Sequence, residues 1–443
     1  GTTLRPIEGE PFKIKKAKIR GEKSIGMICA EDELGLGTSH DGIIVLDPET
    51  QVGTPAHQVF DVEVDTILEI GLTPNRVDAA SHYGVARDVA ALLDGEARRP
   101  EAPEIDEATA IANPITIGLP EPSRCDRYVG IYIEGVEVKP SPEWLQLRLK
   151  SIGLRPINNI VDITNFVLHE LGSPLHAFDA DRIRGNRIVV QTLTEDIKFT
   201  TLDGTEREIL AGKDLMICDG DGPVAVAGVM GGLGSEVEDH TKNIFLESAY
   251  LQPIGIRRTA SRLGLKTDAS YRFERGVDPH MQRVAALRAT ALILELAGGK
   301  ASVVDDVQKG DHPWFEIDLS LSHAKRLMGL DLPKERITQI LNSLEIEVAD
   351  GADADTLSLK VPPYRVDVQR PQDIMEEILR IHGYNNVPFP GTSQMALNLE
   401  QRVDKNGLLQ KLFDQLSAAG FSEILTCPLV PESLAKETTP KLI

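Results

Sequence analysis

The chain has 443 residues, of which 41% are hydrophobic and 26% are charged, as is typical of soluble globular proteins. At roughly 100–200 residues per domain this length predicts two to four domains, and no apolar run approaches the ~18 residues that a membrane-spanning helix needs. The net charge of −21 argues against non-specific coating of nucleic acid, although an acidic multidomain protein can still carry a local basic face.

The four cysteines are isolated in the sequence, and none lies in a CxxC pair. This spacing argues against a disulfide framework and against a zinc ribbon, and it predicts a reducing, cytoplasmic compartment. The first residues show neither a Met nor a signal-peptide pattern, and the last ones follow soon after a helix-like segment. These features predict that the sequence is truncated at both ends and is a piece of a longer chain.

The first 110 residues predict mainly short strands. Within residues 1–50, apolar runs are separated by Gly and Asp turns, at positions 14–19, 26–29 and 43–46. Two more strand-like segments follow, at positions 60–64 and 68–72. Thr73-Pro74-Asn75-Arg76 then predicts a turn before a helix that carries Val85 and Val89, and the Pro- and Glu-rich residues 99–110 predict a linker.

One dense basic run stands out against the acidic total. It contains Lys13, Lys15, Lys16, Lys18 and Arg20. Its alternation of apolar and charged residues predicts a strand with a charged outer face. Two interpretations stay open with similar weight, a face that binds nucleic acid and a strand edge that lysines protect from aggregation.

Residues 112–300 predict the largest unit, an α+β domain with long helices and an antiparallel or mixed sheet. Helices are expected at positions 144–152, 160–169, 251–263 and 281–296. The last of these stops at Gly298-Gly299, which is a fitting helix end. Strands are expected at positions 187–192, 215–219, 224–229 and 244–247.

Residues 300–390 predict a smaller unit with helix–helix–strand–strand order, which is typical of a winged-helix-like module. Its expected elements are a strand at 314–319, helices at 322–328 and 334–344, strands at 346–349 and 357–361, and a helix at 371–382. Residues 400–443 begin another unit, with an amphipathic helix at 408–416 and a strand at 423–428.

Four carboxylates cluster near Pro371, which suits the first position of a helix. Asp373, Glu376 and Glu377 then crowd one end of that helix, and Asp367 on the preceding strand end can fold over the same spot. Hard oxygen ligands without His or Cys favour Mg²⁺ or Ca²⁺. The alternative is that the helix dipole favours acids in its first turn, and spacing alone gives this alternative more weight than a metal site.

A second set of polar and small residues is dispersed through residues 112–300. It comprises the segments Val161-Asp162-Ile163-Thr164-Asn165, His176-Ala177-Phe178-Asp179, Ala227-Gly228-Val229-Met230-Gly231-Gly232, Leu246-Glu247-Ser248-Ala249 and Lys266-Thr267-Asp268-Ala269-Ser270. His176 is a candidate general base, although a lone His is more often structural. Glu247 ends an apolar strand, and a buried carboxylate there needs a partner or a ligand. The glycines lack the strand-to-helix context of a dinucleotide or P-loop fingerprint.

These segments, taken in order, resemble the β subunit of bacterial phenylalanyl-tRNA synthetase from end to end. The most specific strings are His176-Ala177-Phe178-Asp179 and Thr267-Asp268-Ala269-Ser270-Tyr271-Arg272-Phe273-Glu274-Arg275-Gly276. The resemblance implies a multidomain α+β fold with a partial OB-fold β-barrel, an α+β editing domain, a winged-helix-like domain and the start of a class II synthetase-like catalytic fold. The implied ranges are 1–50 for the end of the tRNA-binding OB-fold insertion, 51–110 for the rest of the first domain and a linker, 111–300 for the B3/B4 editing domain, 301–390 for the B5 domain and 391–443 for the truncated catalytic-like domain.

The family also implies partners and sites. It forms a heterotetramer of two α and two β subunits, in which the α subunit uses ATP to charge tRNA(Phe) and the β subunit is a scaffold, a tRNA binder and a proofreader. By position, the resemblance assigns the editing pocket to Thr164, Asn165, His176, Gly231, Glu247, Thr267 and Ala269. It assigns magnesium ligands, for an ion shared with the α subunit, to Asp367, Asp373, Glu376 and Glu377. It assigns tRNA contacts to the basic run at Lys13, Lys15, Lys16, Lys18 and Arg20, and it implies no membrane.

Editing has a physical reason. Tyrosine is phenylalanine plus a hydroxyl, and an apolar pocket rejects an added hydroxyl by only about 10², whereas a site built to bond that hydroxyl discriminates by about 10⁴–10⁵. We therefore hypothesise that Glu247 binds the tyrosyl hydroxyl, that Gly231 and Ala269 leave room for the ring, and that His176 and Thr267 position the water or the terminal adenosine.

Three other interpretations compete with editing. A scaffold and tRNA-binding module with a decayed pocket is the first, and the joint presence of His176, Glu247 and Thr267 argues against it. A stand-alone nucleic-acid-binding protein is the second, which the acidic helix after Pro371 and the net charge of −21 disfavour. A metabolic oxidoreductase is the least favoured, because no dinucleotide fingerprint is present.

Overall fold

The computed structural model describes residues 3–4, 10–37, 39–60, 65–389, 391–392, 404–425 and 429–431. It divides into two units, residues 1–384 and residues 385–443, and each is considered by itself. Among the described residues, no helix has the length and apolar character that crossing a membrane requires.

The N-terminal part of the first unit holds short elements. They are β1 (Thr3–Leu4), β2 (Phe12–Lys13), β3 (Ala17–Ile19), β4 (Glu22–Ser24), α1 (Glu31–Leu34) and α2 (Ala56–Val59). β1 pairs with β2 and β3 with β4, so the described residues there form two separate two-stranded sheets. The OB-fold barrel therefore stays a prediction.

Three strands expected in this part are absent from the structure. Residues 26–29, 43–46 and 68–72 have no regular β-structure, and the side chains of Ile28 and Val45 are 73% and 87% exposed. A strand must pair its backbone groups with a neighbour, and an apolar run alone does not supply one. The strand expected at 60–64 lies outside the described residues from position 61 onward.

The predicted turn and helix that follow are both confirmed. A turn at residues 74–75 leads to α3 (His82–Leu92). The hydroxyl of Ser81 accepts a hydrogen bond from the Gly84 amide and so caps the start of this helix. Residues 95–106 then run without regular structure, as the Pro- and Glu-rich composition predicts.

The largest part of the first unit contains two five-stranded sheets and a strand pair. Its strands are β5 (Thr116–Gly118), β6 (Cys125–Glu134), β7 (Leu175–Asp179), β8 (Arg187–Thr192), β9 (Ile197–Thr200), β10 (Glu206–Ile209), β11 (Leu215–Cys218), β12 (Pro223–Val226), β13 (Met230–Gly231), β14 (Asn243–Leu251), β15 (Lys300–Ala301) and β16 (Asp305–Gln308). One sheet has the order β15-β6-β14-β7 with β16 also paired to β6, and the other has the order β13-β12-β11-β8-β5. β5 runs parallel to β8, so the expected mixed sheet is confirmed.

Helices α6 (Pro253–Leu263) and α7 (Asp268–Phe273) follow β14 in the chain. Helices α4 (Glu143–Ser151), α5 (Asn159–Leu171) and α8 (Met281–Leu296) cover one face of the β6-β14-β7 sheet. Ile131, Leu246 and Ile163 share a core with α4, α5 and α8 on that face. Phe178 and Phe245 point to the opposite face, where they form a second core with the other five-stranded sheet and with residues of α6 and α7. The second core is where the candidate site lies.

The C-terminal part of the first unit has the predicted helix–helix–strand–strand order. Its elements are β17 (Phe315–Ser320), α9 (Leu321–Met328), α10 (Lys334–Ser343), β18 (Glu347–Asp350), β19 (Thr356–Val361) and α11 (Pro371–His382). The three strands form an antiparallel sheet in the order β17-β19-β18. In the second unit, α12 (Lys405–Ala418) confirms the helix expected at 408–416, whereas residues 423–425 are not in a strand.

Candidate functional site

Two of the predicted site residues lie directly opposite each other on neighbouring strands. Glu247 of β14 pairs with His176 of β7, and on its other side it pairs with Gly130 of β6. Residues paired in this way project to the same face of a sheet. The carboxyl and the imidazole therefore face the core between the two sheets.

The Glu247 carboxyl is 6% exposed, and its Oε2 accepts a hydrogen bond of 2.9 Å from the Tyr128 hydroxyl. Burial raises the pKa of Glu247 to about 7, and the bond from Tyr128 opposes this rise only in part. Oε1 accepts no hydrogen bond from any described residue. This second oxygen is the atom that can receive a ligand hydroxyl.

His176 is neutral at neutral pH, because burial lowers the pKa of its imidazole to about 4. Its Nε2 is buried and has no hydrogen-bond partner among the described residues. The imidazole packs edge-on against Phe178, with 4.4 Å between the ring centroids. A buried, unpaired nitrogen of this kind can accept a proton from water or bond a ligand.

Gly231 lies against the same imidazole. A Cβ at this position would stand 3.0 Å from His176 Cε1 and 2.8 Å from Leu202 Cδ1. A side chain here would therefore press on the histidine. A glycine at position 231 lets the turn approach the unpaired Nε2 this closely.

Thr267 and Ala269 belong to the start of α7. The Thr267 hydroxyl donates a hydrogen bond of 2.9 Å to the Val229 carbonyl and accepts one of 3.0 Å from the Ser270 amide. It thus fixes the helix start to the turn that precedes Gly231. Ala269 is half-buried and packs against the core that contains Phe178.

Thr164 and Asn165 are less closely joined to this group. Both lie on α5, whose Ile163 and Val167 pack into the core on the helix-covered side of the sheet. The Thr164 hydroxyl donates a hydrogen bond of 2.7 Å to Val161 within its own helix, and Asn165 is half-buried. No hydrogen bond between described residues links either one to the other five.

The four carboxylates predicted to bind magnesium are each placed differently. Glu377 is buried and pairs with Arg365 at 2.9 Å and with Arg380 at 2.6 Å. Although burial opposes ionisation, these two guanidinium groups lower the pKa of Glu377 to about 2. Asp367 accepts a hydrogen bond of 3.1 Å from Asn75. The negative charge of Glu377 is therefore balanced by arginines.

The other two carboxylates point elsewhere. Asp373 accepts hydrogen bonds from the backbone amides of Gln369 and Arg370 and closes the start of α11, while Glu376 is exposed. Within the described ranges, no three His, Cys, Asp or Glu side chains are arranged to hold a metal ion. This arrangement does not fit a magnesium site, and magnesium binding stays a prediction from the resemblance.

The basic run is exposed along its length. Lys13 belongs to β2, Lys18 lies on β3, and Arg20 lies in the turn between β3 and β4 with a positive φ of 49°. Lys15 and Lys16 join the two strand pairs and are also exposed. This surface is free to meet an anionic partner, and its role in tRNA binding stays a prediction.

The sequence analysis missed two features. Tyr128 bonds Glu247 from β6, a ten-residue strand that was not predicted and whose residues are buried on both faces along most of its length. Arg365 is 2% exposed and bonds the predicted ligands Asp367 and Glu377. A fully buried arginine among carboxylates has no signal in local spacing, because its partners are set by tertiary contacts.

Comparison with known proteins places two domains on this fold. The B3/4 domain family matches residues 124–298, and the tRNA synthetase B5 domain family matches residues 317–384. These ranges correspond to the two-sheet part with its helices and to the part with α9, α10 and α11. The chain is also 49% identical to the phenylalanine–tRNA ligase β subunit of Bacteroides fragilis over 94% of its own length.

The chain belongs to the phenylalanine–tRNA ligase β-subunit family. The β subunits of Porphyromonas gingivalis and Salinibacter ruber are 49% and 45% identical over 98% and 96% of this chain. The chain spans about half the length of these relatives, namely 53% and 52%.

One solved structure is also similar, an N-terminal fragment of the phenylalanyl-tRNA synthetase β subunit from Pyrococcus horikoshii. It is 20% identical and covers 70% of this chain and 85% of the fragment, with a TM-score of 0.37. At that score the similarity supports no conclusion about the fold.

Proposed function

We propose that this chain is the part of a phenylalanine–tRNA ligase that hydrolyses Tyr-tRNA(Phe). The observation that carries the proposal is a buried Glu247 carboxyl with one oxygen left without a partner, directly opposite the unpaired imidazole of His176. The buried, unpaired Nε2 of His176 costs free energy unless a ligand satisfies it. A phenol hydroxyl can donate the hydrogen bond that Glu247 Oε1 accepts.

Hydrolysis needs no strong nucleophile from the protein, because an aminoacyl ester is already activated. Glu247 Oε1 accepts the hydrogen bond of the tyrosyl hydroxyl, and the space beside Gly231 holds part of the aromatic ring. The neutral His176 accepts a hydrogen bond from the attacking water and orients it. Backbone amides near the Gly-rich turn stabilise the oxyanion that forms on the ester carbonyl.

Phenylalanyl-tRNA lacks the hydroxyl that Glu247 would bind. Seating it would leave a buried carboxyl without its partner, which is the kind of loss that gives strong discrimination. Thr267 holds the start of α7 in place for the terminal adenosine, and Ala269, like Gly231, leaves room for the aromatic ring. By the resemblance, Thr164 and Asn165 of α5 are also assigned to the proposed pocket.

The wider role follows from the family. In the complete ligase, the α subunit carries aminoacylation with ATP, and two α and two β subunits assemble in the cytoplasm. The exposed basic run from Lys13 to Arg20 contributes to tRNA binding. The parts around residues 1–50, 301–390 and 391–443 correspond to the OB-fold insertion, the winged-helix-like B5 domain and the start of the catalytic-like domain.

Deacylation of Tyr-tRNA(Phe) and Phe-tRNA(Phe) tests this proposal, with this chain alone and with the α subunit added. Selective hydrolysis by the chain alone would show an autonomous editing domain. Activity only with the α subunit would show that tRNA delivery needs the assembly. Failure in both cases, with folding confirmed, would favour the scaffold without a working pocket.

The variant Glu247→Ala tests the assigned role of the carboxyl. We expect Tyr-tRNA(Phe) to survive, with a loss of roughly 10²-fold or more in kcat/KM, because the hydroxyl loses its acceptor. Unchanged deacylation by this variant would defeat the assignment.

A further inference from the structure

We propose that Tyr128 is a positioning residue for tyrosine recognition, which holds one oxygen of Glu247 so that the other faces the substrate hydroxyl. This inference rests on the proposed editing function. It adds a residue on β6 to a pocket otherwise assigned to β7, the Gly-rich turn, β14, α5 and α7.

The strand register places the two groups together. Tyr128 pairs with Ala249, and Glu247 pairs with Gly130, so the phenol and the carboxyl are diagonal neighbours on one face of the sheet. Tyr128 is fully buried, and its hydroxyl donates to Glu247 Oε2 at 2.9 Å. A carboxylate held through one oxygen loses most of its rotational freedom, which fixes the direction of Oε1.

Within the described part of the chain, no cation pairs with Glu247, whose pKa is shifted by burial and by the Tyr128 hydrogen bond. The groups that face it are the neutral His176 on β7, and Tyr128 and the buried thiol of Cys125 on β6. Among the described residues, the phenol of Tyr128 is the hydrogen-bond donor to this carboxylate. The bond therefore orients Glu247, and it opposes in part the rise in pKa that burial causes.

The direction of the pH effect follows from the sign of each contribution. The ionised carboxylate accepts the substrate hydroxyl best, so discrimination for tyrosine rises with pH through the Glu247 pKa of about 7. Removing the phenol removes the interaction that favours the ionised form. The midpoint then moves to higher pH.

The test uses the complete ligase, in which this sequence is part of the full-length β chain. The ratio of kcat/KM for Tyr-tRNA(Phe) to that for Phe-tRNA(Phe) is measured from pH 6 to pH 9 for the natural protein and for Tyr128→Phe. At pH 7 we expect this ratio to be about tenfold lower in the variant, which is the effect of losing a hydrogen bond to a charged group. We also expect the midpoint of the ratio to move to higher pH. Most of the fall in kcat/KM for Tyr-tRNA(Phe) should come from a higher KM.

Tyr132→Phe is the matched control, since Tyr132 lies on the same strand and its hydroxyl makes no hydrogen bond to a described residue. It should leave the ratio and the midpoint unchanged. A fluorinated tyrosine at position 128 keeps the volume and donates a stronger hydrogen bond. It should lower the midpoint, and it tests the proposal even where Tyr128→Phe does not fold.

The outcomes separate this proposal from the function it rests on. If the natural ligase does not deacylate Tyr-tRNA(Phe), the editing function fails and Tyr128 loses its role with it. If the natural ligase edits and neither substitution at position 128 moves the ratio or the midpoint, the positioning role alone is overturned. A shift of equal size with Tyr132→Phe would also overturn it.

Discussion

Glu247 lies in a buried environment that disfavours the ionised form of its carboxyl. The folded state raises the pKa of this carboxyl to about 7 from the model-peptide value of 4.5, because burial removes its hydration. Between these two values the folded chain holds more protons than the unfolded chain, so this group makes the protein less stable as pH rises. A residue that costs stability at neutral pH is typical of a functional pocket.

The variant Glu247→Gln should remove this pH dependence. We expect the free energy of unfolding of the variant, relative to that of the natural protein, to be about 2 kcal/mol higher at pH 8 than at pH 5.5. This value follows from the difference between the two pKa values, at 1.36 kcal/mol per pKa unit. Hydrogen exchange of the β14 amides measures the difference. The low pKa of His176 acts in both proteins and cancels. An equal effect of the variant at both pH values would show that Glu247 ionises normally.

Gly231 should tolerate no side chain without a loss of function. In Gly231→Val the added atoms press on His176, which a Cβ would already approach to 3.0 Å. We expect deacylation of Tyr-tRNA(Phe) to fall at least tenfold, roughly the cost of a misplaced catalytic contact. The control Gly222→Ala has open space around its Cβ and should deacylate normally. Equal activity of both variants would place the substrate elsewhere.

At the scale of elements, α5 and α7 illustrate how local signals serve the site. Asn158 caps α5, because its Oδ1 accepts hydrogen bonds from the amides of Ile160 and Val161 at 3.1 and 2.9 Å. Thr267 caps α7 and at the same time bonds the Val229 carbonyl. Because Thr267 is itself a residue of the proposed pocket, the start of α7 and the pocket share the same hydrogen bonds.

Loss of the α5 cap should loosen this helix. Asn158→Ala should reduce the free energy of local opening by about 1 kcal/mol, since two amides lose their acceptor. Hydrogen exchange of the α5 amides measures this, and Asn158→Ser, which keeps a capping oxygen, should restore most of the protection. If Ala and Ser behave alike at position 158, the cap contributes nothing.

The limits of sequence-based prediction are visible in particular elements. α8 and α11 were predicted with the bounds that the structure shows, because helical periodicity and the Pro371 and Gly298 signals are local. β6 was missed although it is the central strand of its sheet, and the expected strands at 26–29 and 43–46 do not form. A strand exists only with its partner, and a short window of sequence does not contain that partner.

At the scale of the whole first unit, an ionic network joins α3 and the turn before it to the part that contains α10 and α11. Arg76 pairs with Asp78 at 2.9 Å and with Asp88 at 2.8 Å, and Arg380 pairs with Asp88 at 3.0 Å. Arg365 adds its pair with Glu377 at 2.9 Å. The network thus holds together segments almost 300 residues apart in an otherwise acidic chain.

The variant Arg365→Met should be strongly destabilising. Removing Arg365 leaves the buried Glu377 with Arg380 as its remaining partner, and breaking a buried pair of this kind costs up to about 3–5 kcal/mol. Urea denaturation measures this loss, and the double variant with Glu377→Gln should recover part of it. Arg370→Ala breaks an exposed pair with Asp373 and should cost much less. Similar losses for Arg365→Met and Arg370→Ala would contradict a structural role for the network.

The sequence by itself determined most of the longer helices, four strands of the two-sheet part (β8, β11, β12 and β14) and the ordered motifs that mark the family, since all of these are written in short stretches of chain. It also named His176 and Glu247 as candidates from their residue types, and the resemblance joined them with Gly231 in one pocket. Only the tertiary structure showed that Tyr128 and Glu247, which are 119 positions apart, form a hydrogen bond. It also showed that Glu377 forms an ion pair with Arg365 and does not belong to an open carboxylate cluster. Those pairings depend on strand register and burial, which set distances and pKa values that local sequence does not encode.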